Sequence, residues 1–161
     1  QTSRLTLPPG GQASVRFTLK APEDLEGTRY AYILLTPEAP EPSGAGNVGL
    51  RLVQRYAVLV AASRGGRPEV RFLEARVEEG RLLFLAENRG NRLYRPHARL
   101  QVLGKGGLVK EASLGTYTFL PGEPKRLPVE LPALEPGEYA VLLFLDDGVF
   151  AYAGRVRLDV R

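Results

Sequence analysis

The residues that could carry chemistry in this sequence are few, and their surroundings do not support it. Residues 44–49 read Gly-Ala-Gly-Asn-Val-Gly and match the G-x-G-x-x-G pattern of dinucleotide-binding loops. That pattern binds pyrophosphate where a strand precedes it and a helix begins at its third glycine. Here a segment rich in proline and glutamate precedes it, and an apolar, strand-like segment follows. We therefore interpret residues 44–49 as a hairpin loop.

The possible acids, bases, nucleophiles and metal ligands are equally isolated. His97 is the only histidine and there is no cysteine, which excludes a histidine cluster, a thiolate site and a cysteine nucleophile. Asp146 and Asp147 supply too few ligands for calcium, and the glycine after them favours a turn. Ser113 lacks the glycine context of a nucleophile elbow. The sequence thus predicts no catalytic residue, no metal site and no cofactor.

Composition and charge narrow the class of protein further. The chain has 161 residues, of which 43% are apolar and 25% charged, as is usual for a globular protein. The net charge is +4, but the basic residues alternate with apolar ones and do not cluster, which argues against a nucleic-acid partner. The longest uncharged apolar run, residues 56–62, is too short to cross a bilayer. The preference for arginine over lysine is typical of a thermophilic or GC-rich source.

Alternation of apolar and polar residues predicts β-strands along most of the chain. The predicted strands cover residues 14–20, 30–36, 48–61, 70–78, 81–87, 98–103, 125–131, 139–145, 149–152 and 154–161. Turn-forming segments separate them, and Asp147-Gly148 predicts a two-residue hairpin. No segment longer than a turn has a helical period. Short strands at regular spacing indicate an all-β fold of the sandwich type.

An internal repeat is the most informative pattern in the sequence. Pro9-Gly10 and Pro121-Gly122 are each followed by a predicted strand, a connection with proline, and a glycine-tyrosine entry into an apolar strand. In immunoglobulin-like sandwiches, a tyrosine near the start of the sixth strand donates a hydrogen bond back across the preceding corner. Tyr30 and Tyr139 are the candidates for that role. The alternative is two unrelated surface tyrosines that happen to follow turns.

The repeat predicts two immunoglobulin-like β-sandwich domains of unequal completeness. Residues 69–120 precede the second Pro-Gly turn, whereas only residues 1–8 precede the first. We therefore expect residues 1–62 to form a first domain without its opening strands, residues 63–68 a flexible hinge, and residues 69–161 the second domain. Because the chain starts at Gln1 and has no methionine, we expect upstream residues or another chain to supply the missing strands.

Residues 7–62 resemble the second half of the N-terminal domain of the periplasmic pilus-assembly chaperones, the PapD-like family. The resemblance rests on Pro9-Gly10, the strand after it, the entry at Tyr30, the loop 38–47 and the long strand that begins at Val48. Residues 88–91, Asn-Arg-Gly-Asn, fit the hairpin turns of such modules. The resemblance implies a non-enzymatic bacterial protein of the periplasm or cell surface. It also implies binding to a secreted or pilus-type subunit by donation of a β-strand or sheet edge.

The resemblance further implies that the partner binds along the last strand of the first domain. The matching residues are the alternating Val48, Leu50 and Leu52, followed by Arg55 and Tyr56. Where the family has a lysine for the partner's terminal carboxylate, this sequence has Ala57, and Arg55, two residues earlier, is the candidate anchor provided that the register differs from that of the family. The alternative for the three apolar residues is a place in the core of the first domain. The alternative function is a structural immunoglobulin-like module of a pilus, surface layer or adhesion assembly, completed by a neighbouring chain.

Overall fold

The computed structural model describes residues 4–37, 55–78, 81–131 and 133–160 of the chain. These residues form nine β-strands and no helix. In chain order the strands are β1 (Gly27–Leu35), β2 (Tyr56–Arg64), β3 (Val70–Glu78), β4 (Arg81–Asn88), β5 (His97–Gly104), β6 (Gly107–Thr116), β7 (Pro124–Glu130), β8 (Gly137–Asp146) and β9 (Ala151–Val160). They pair antiparallel in three sheets of order β1-β2, β3-β4-β7 and β6-β5-β8-β9. The predicted all-β class is confirmed.

The three-stranded and four-stranded sheets share one apolar core, as in a β-sandwich. Alternate residues of β4, β5, β7 and β8 point into it and are almost completely buried. The core residues of these strands are Leu82, Phe84, Ala86, Ala98, Leu100, Val102, Leu127, Val129, Val141, Leu143 and Leu145. Burying a side chain of leucine or phenylalanine size stabilises a fold by about 1.5–3 kcal/mol. In the described part before residue 70, Leu25 is the only large apolar side chain that is buried, so the core lies in the later part of the chain.

The two tyrosines predicted to form corner bonds differ in their hydrogen-bond partners. Tyr139 donates a hydrogen bond to the carbonyl oxygen of Glu135, four residues upstream, at 2.9 Å, and this confirms the corner contact predicted for it. Tyr30 donates instead to the carboxylate of Glu123 at 2.8 Å, so the corner prediction is wrong there. Residues 11–26 contain no strand, and Tyr30 therefore has no strand-to-strand corner to bridge.

Four local predictions differ from the structure. Residues 14–20 form no strand, since no described strand lies beside them to complete a hydrogen-bond ladder. β6 is not predicted by alternation because its residues do not alternate, and its ladder with β5 is interrupted by two register shifts. The last two predicted strands form one strand, β9, and the loop before it has four residues, 147–150, instead of two. Residues 88–91 form no hairpin turn, because they lead from β4 in one sheet to β5 in the other.

Candidate interaction site

The sheet of β1 and β2 is the least complete part of the described structure. The two strands pair along nine residues, from Gly27 opposite Arg64 to Leu35 opposite Tyr56. Among the described residues, each strand has the other as its only ladder partner. A two-stranded sheet is marginally stable in water, and further strands or a covering layer are needed to stabilise it. The β1-β2 sheet is therefore a place where additional polypeptide can be added.

Both faces of the β1-β2 sheet are apolar, which is unusual for a sheet with a solvated side. Successive side chains of a strand point to opposite faces, so the pairing register assigns every residue to one of two faces. The cleft face, which is turned toward the sandwich, carries Tyr30, Tyr32, Leu34, Ala57, Leu59 and Ala61. The outer face carries Ala31, Ile33, Leu35, Tyr56, Val58 and Val60. Apolar residues on both faces are typical of strands that are covered on both sides.

These apolar side chains are nevertheless exposed. Tyr32 and Leu34 on the cleft face are 50% and 67% exposed, and Tyr56 and Val58 on the outer face are 51% and 47% exposed. Leu5, Leu7, Val15, Phe17 and Leu19, in the segment before β1, are exposed as well. Large contiguous apolar surfaces on soluble proteins mark sites of interaction. The exposed residues of β1, with Val58 of β2, are the site residues that the sequence does not single out.

The edges of the sandwich carry features that prevent pairing with another chain. β7, at one edge, contains Pro124 and Pro128, which lack the donor that an added strand needs. β3, at the opposite edge, has a register shift between Phe72 and Glu74 and four charged residues. β6 has two register shifts against β5, whereas β9, the fourth edge strand, has neither a register shift nor a proline and carries the charged residues Arg155, Arg157 and Asp159. Bulges, prolines and charges are the means by which edge strands avoid aggregation.

The β1-β2 sheet has almost none of these features. Arg29 is the only charged residue of β1, and Arg64, at the very end, is the only one of β2. Neither strand contains proline, and their pairing has no register shift. The edges of the sandwich are thus protected by bulges, prolines or charges, whereas among the described residues neither edge of the β1-β2 sheet is paired or protected in this way.

A narrow cleft separates the cleft face from the sandwich. Tyr32 and Leu59 form one wall of a space of about 170 Å³, and Phe119 and Lys125 lie on the other side. The hydrogen bond from Tyr30 to Glu123 crosses the same gap. This bond is the largest cause of the raised pKa of the Tyr30 hydroxyl, because ionisation would remove the donated proton. The cleft face is therefore held close to the sandwich but not sealed against it.

The structure describes two of the five residues predicted to bind a partner. Val48, Leu50 and Leu52 lie outside the described residues, and their role remains a prediction. Arg55 is exposed and immediately precedes β2. Tyr56 is the first residue of β2, on the outer face beside Val58 and opposite Leu35. The structure thus brings Tyr56 together with the apolar residues of the outer face and places Arg55 at the end of that surface.

The groups considered for chemistry have structural partners where the chain is described. His97 Nε2 lies 2.8 Å from Ser113 Oγ in an exposed position. Asp146 accepts a hydrogen bond from the backbone nitrogen of Gly148, and Asp147 accepts two, from Val149 and Phe150. These carboxylates hold the loop before β9, in agreement with the predicted turn. No group of three or more potential metal ligands is found among the described residues, and residues 44–49 lie outside them.

Comparison with known proteins adds no family to these observations. No protein-family model matches the sequence, and a search of curated proteins gives no match. In the described ranges, no helix is long and apolar enough to cross a membrane.

Proposed function

We propose that this chain is a non-enzymatic binding protein of the bacterial periplasm or cell surface that takes up an extended segment of another polypeptide at the β1-β2 sheet. The observation that carries the proposal is the combination of two apolar faces, exposed side chains and unprotected edges in a two-stranded sheet. The proposed partner is a secreted or pilus-type subunit whose own sheet is incomplete. This is the role expected from the resemblance to the PapD-like chaperones.

The proposed architecture is two immunoglobulin-like units, residues 1–62 and 69–161, joined by residues 63–68. Seven described strands, β3 to β9, support this for the second unit. Their order, first-second-fifth in one sheet and fourth-third-sixth-seventh in the other, follows the Greek-key pattern of such sandwiches with the fourth strand beside the third. The corner bond of Tyr139 at the start of the sixth of these strands is a further support. The first unit is represented by β1 and β2 alone.

The binding mode follows from the chemistry of a free sheet edge. An added strand gains main-chain hydrogen bonds along its length, and its alternate side chains contact the faces of the receiving sheet. The outer face offers Val58 and Val60 beside the ring of Tyr56, a surface suited to β-branched and other aliphatic side chains. Arg55 lies at one end of this surface and, in the proposal, binds a carboxylate of the partner. Val48, Leu50 and Leu52, which precede Arg55 in the sequence, belong to the proposed site as well.

Peptide binding tests this proposal directly. The probe is a fluorescein-labelled peptide of alternating valine and threonine, as long as the nine-residue ladder, and the readout is fluorescence anisotropy. We expect saturable binding that is lost when all central amides of the peptide are N-methylated, because methylation removes the ladder donors and keeps the side chains. Absence of binding, or equal binding of the methylated peptide, would contradict the proposal.

Substitutions locate the site. Val58→Asp and Leu34→Asp place a carboxylate on the outer and cleft faces, respectively, and we expect each to weaken peptide binding about tenfold or more. Val149→Asp is the matched control, because Val149 is 80% exposed and lies in the loop before β9, far along the chain from β1 and β2. Equal effects of all three substitutions would show that the peptide does not use the β1-β2 sheet.

A structural module is the second candidate function, and it is favoured because neither edge of the β1-β2 sheet has a further strand in the described part of the chain. A sheet that is open on both sides can pair with neighbouring copies at each edge and so form a chain of subunits. Sedimentation velocity over a range of protein concentrations separates the two functions. A monomer that binds the peptide supports the chaperone-like role, whereas concentration-dependent assembly that Leu34→Asp or Val58→Asp abolishes supports the structural one.

A further inference from the structure

Residues 88–92 form a loop that contacts both ends of the connection between the β1-β2 sheet and the sandwich. The backbone nitrogen of Thr28, in β1, donates to the carbonyl oxygen of Asn91 at 2.8 Å. The backbone nitrogen of Arg67, which follows β2, donates to Asn91 Oδ1 at 3.1 Å. One asparagine thus accepts hydrogen bonds from the start of β1 and from the segment after β2, which are distant in sequence.

Further hydrogen bonds reinforce the same junction. The hydroxyl of Thr28 lies 2.7 Å from that of Ser63 in β2 and accepts a hydrogen bond from the backbone nitrogen of Leu93 at 2.8 Å. The guanidinium of Arg92 donates to the carbonyl oxygen of Gly65 at 3.3 Å. Two additional hydrogen bonds join the connection or β1 to the sandwich. They are Tyr152 to the carbonyl oxygen of Pro68 and Tyr30 to Glu123.

Glycines allow the backbones to approach this closely. A Cβ on Gly27 would lie 2.3 Å from the carbonyl oxygen of Asn91, and a Cβ on Gly66 would lie 2.4 Å from Asn91 Oδ1. Gly90, in the loop itself, has the carbonyl oxygen of Arg67 at 2.2 Å from its ideal Cβ position. Real Cβ atoms are not found at such distances, so each position requires glycine for the contact to form. Three glycines and one asparagine therefore define a close-fitting junction.

The loop is itself anchored in the sandwich by a buried polar side chain. Asn88 is completely buried at the end of β4. Its Oδ1 accepts hydrogen bonds from the backbone nitrogens of Glu69 and Gly90, and its Nδ2 donates to the carbonyl oxygen of Arg92 at 2.7 Å. Because all three bonds fix the backbone around the loop, the position of Asn91 is set by the sandwich.

We propose that the loop of residues 88–92 is a clasp that fixes the β1-β2 sheet to the sandwich in one orientation, with Asn91 as its positioning residue. Segments that join domains are flexible by default, but residues 63–68 are bonded to this loop and to Tyr152 on several sides. The consequence for binding rests on the proposed function: an incoming strand meets an edge and a cleft that are already in place. Preorganisation of this kind lowers the entropy cost of binding.

Distance measurement by pulsed electron paramagnetic resonance tests the clasp without any partner. Since the chain has no cysteine, spin labels at Ala31→Cys in β1 and Lys110→Cys in β6 are specific, and both positions are exposed. We expect a single narrow distance distribution in this labelled parent. Asn91→Ala removes an acceptor and Gly66→Ala introduces the clash, and each is expected to broaden the distribution roughly twofold or more.

Two controls separate the clasp from general damage. Gly122→Ala is matched to Gly66→Ala, because both glycines have positive φ, at 75° and 67°, but a Cβ on Gly122 meets no atom within 4 Å. Asn91→Asp keeps the oxygen that accepts from Arg67, and it is expected to keep the narrow distribution. Circular dichroism confirms that each variant is folded.

Three results would overturn the proposal. They are a broad distribution in the labelled parent, unchanged widths in Asn91→Ala and Gly66→Ala, or equal broadening in Gly122→Ala and Gly66→Ala. The first needs no substitution in the clasp and so does not depend on whether a variant folds. A narrow parent distribution together with absence of peptide binding would refute the proposed function and leave the clasp standing.

Discussion

The hydroxyl of Tyr30 in β1 lies 2.8 Å from a carboxylate oxygen of Glu123, 93 residues later in the chain. This bond joins the β1-β2 sheet to the residue next to β7, at the side of the cleft where Tyr32 faces Phe119 and Lys125. It is exposed and therefore weak in isolation. Together with the contacts of Asn91, it gives the β1-β2 sheet a second point of attachment to the sandwich.

Replacement of Tyr30 by phenylalanine is expected to make a pH-dependent difference to stability. The pKa of Tyr30 is raised in the folded protein by the bond to Glu123, so the contribution of this hydroxyl is fully present below its unfolded pKa of about 10. It is lost as the pH rises through the higher folded value. Urea unfolding of both proteins should thus show the parent more stable at pH 8 and the difference reduced at strongly alkaline pH. A difference that grows with alkaline pH would contradict the assignment.

Replacement of Tyr94 by phenylalanine is expected to destabilise the sandwich by about 1–3 kcal/mol. The buried hydroxyl lies 2.8 Å from the carbonyl oxygen of Leu145, in β8, and 2.9 Å from that of Phe150, the last residue of the loop before β9. Burial raises the pKa of Tyr94 well above that of free tyrosine. Tyr32→Phe is the control for denaturant unfolding, because Tyr32 is half-exposed and its hydroxyl has no hydrogen bond in the described structure. Equal stability of Tyr94→Phe and the parent would show that the loop does not need this anchor.

Asn88→Ala is expected to cost about 3 kcal/mol or more, since several backbone groups that bond to its buried amide lose their partner at once. Those groups include the nitrogens of Glu69 and Gly90. Chemical denaturation measures the loss, and Gln101→Ala is the control, because Gln101 is half-buried on β5 and forms no side-chain hydrogen bond with the described residues. A cost as small as that of the control would mean that the loop is held by its backbone contacts alone.

Truncations of leucine should distinguish the core from the candidate site. Leu143→Ala, in the centre of the sandwich core, is expected to lower stability by about 2–5 kcal/mol. Leu34→Ala removes the same atoms from a side chain that is 67% exposed, and its effect should stay within about 0.5 kcal/mol. Denaturant unfolding gives both values. A large loss at Leu34 would mean that the cleft face is already covered in the free protein and would speak against an open binding surface.

The exposed apolar surface itself can be measured with a dye that binds such surfaces. We expect the parent protein to enhance the fluorescence of anilinonaphthalene sulfonate in its folded state, because residues of both faces of the β1-β2 sheet are open to solvent. Leu34→Ser and Val58→Ser together should reduce this signal, and Val149→Ser should not. Equal fluorescence of all variants would place the dye, and the apolar surface, elsewhere.

Much of the sandwich can be predicted from the sequence because its strands are apolar or alternating segments of strand length that turn-forming residues separate. β3, β4, β5, β7 and β8 lie within one or two residues of their predicted limits. In β4, β5, β7 and β8 alternate side chains enter a shared core, so burial has a period of two even where β4 and β8 are apolar on both faces. The same reasoning misses β6, which lies at an edge and whose residues do not alternate. The sequence pattern of a strand is thus informative where packing against the core requires apolar side chains.

The sequence by itself determines that the chain is all-β and that a turn lies at Asp147-Gly148, because alternation and turn chemistry act over a few neighbouring residues. The glycine-tyrosine pattern is less decisive, since it marks a corner at Tyr139 but not at Tyr30. The tertiary structure alone decides which strands have partners. Residues 14–20 alternate as a strand should, but a strand exists only when another backbone completes its hydrogen bonds. The junction at Asn91 is likewise a product of tertiary contact, since Gly27, Gly66 and Asn91 meet only after the sheets have assembled.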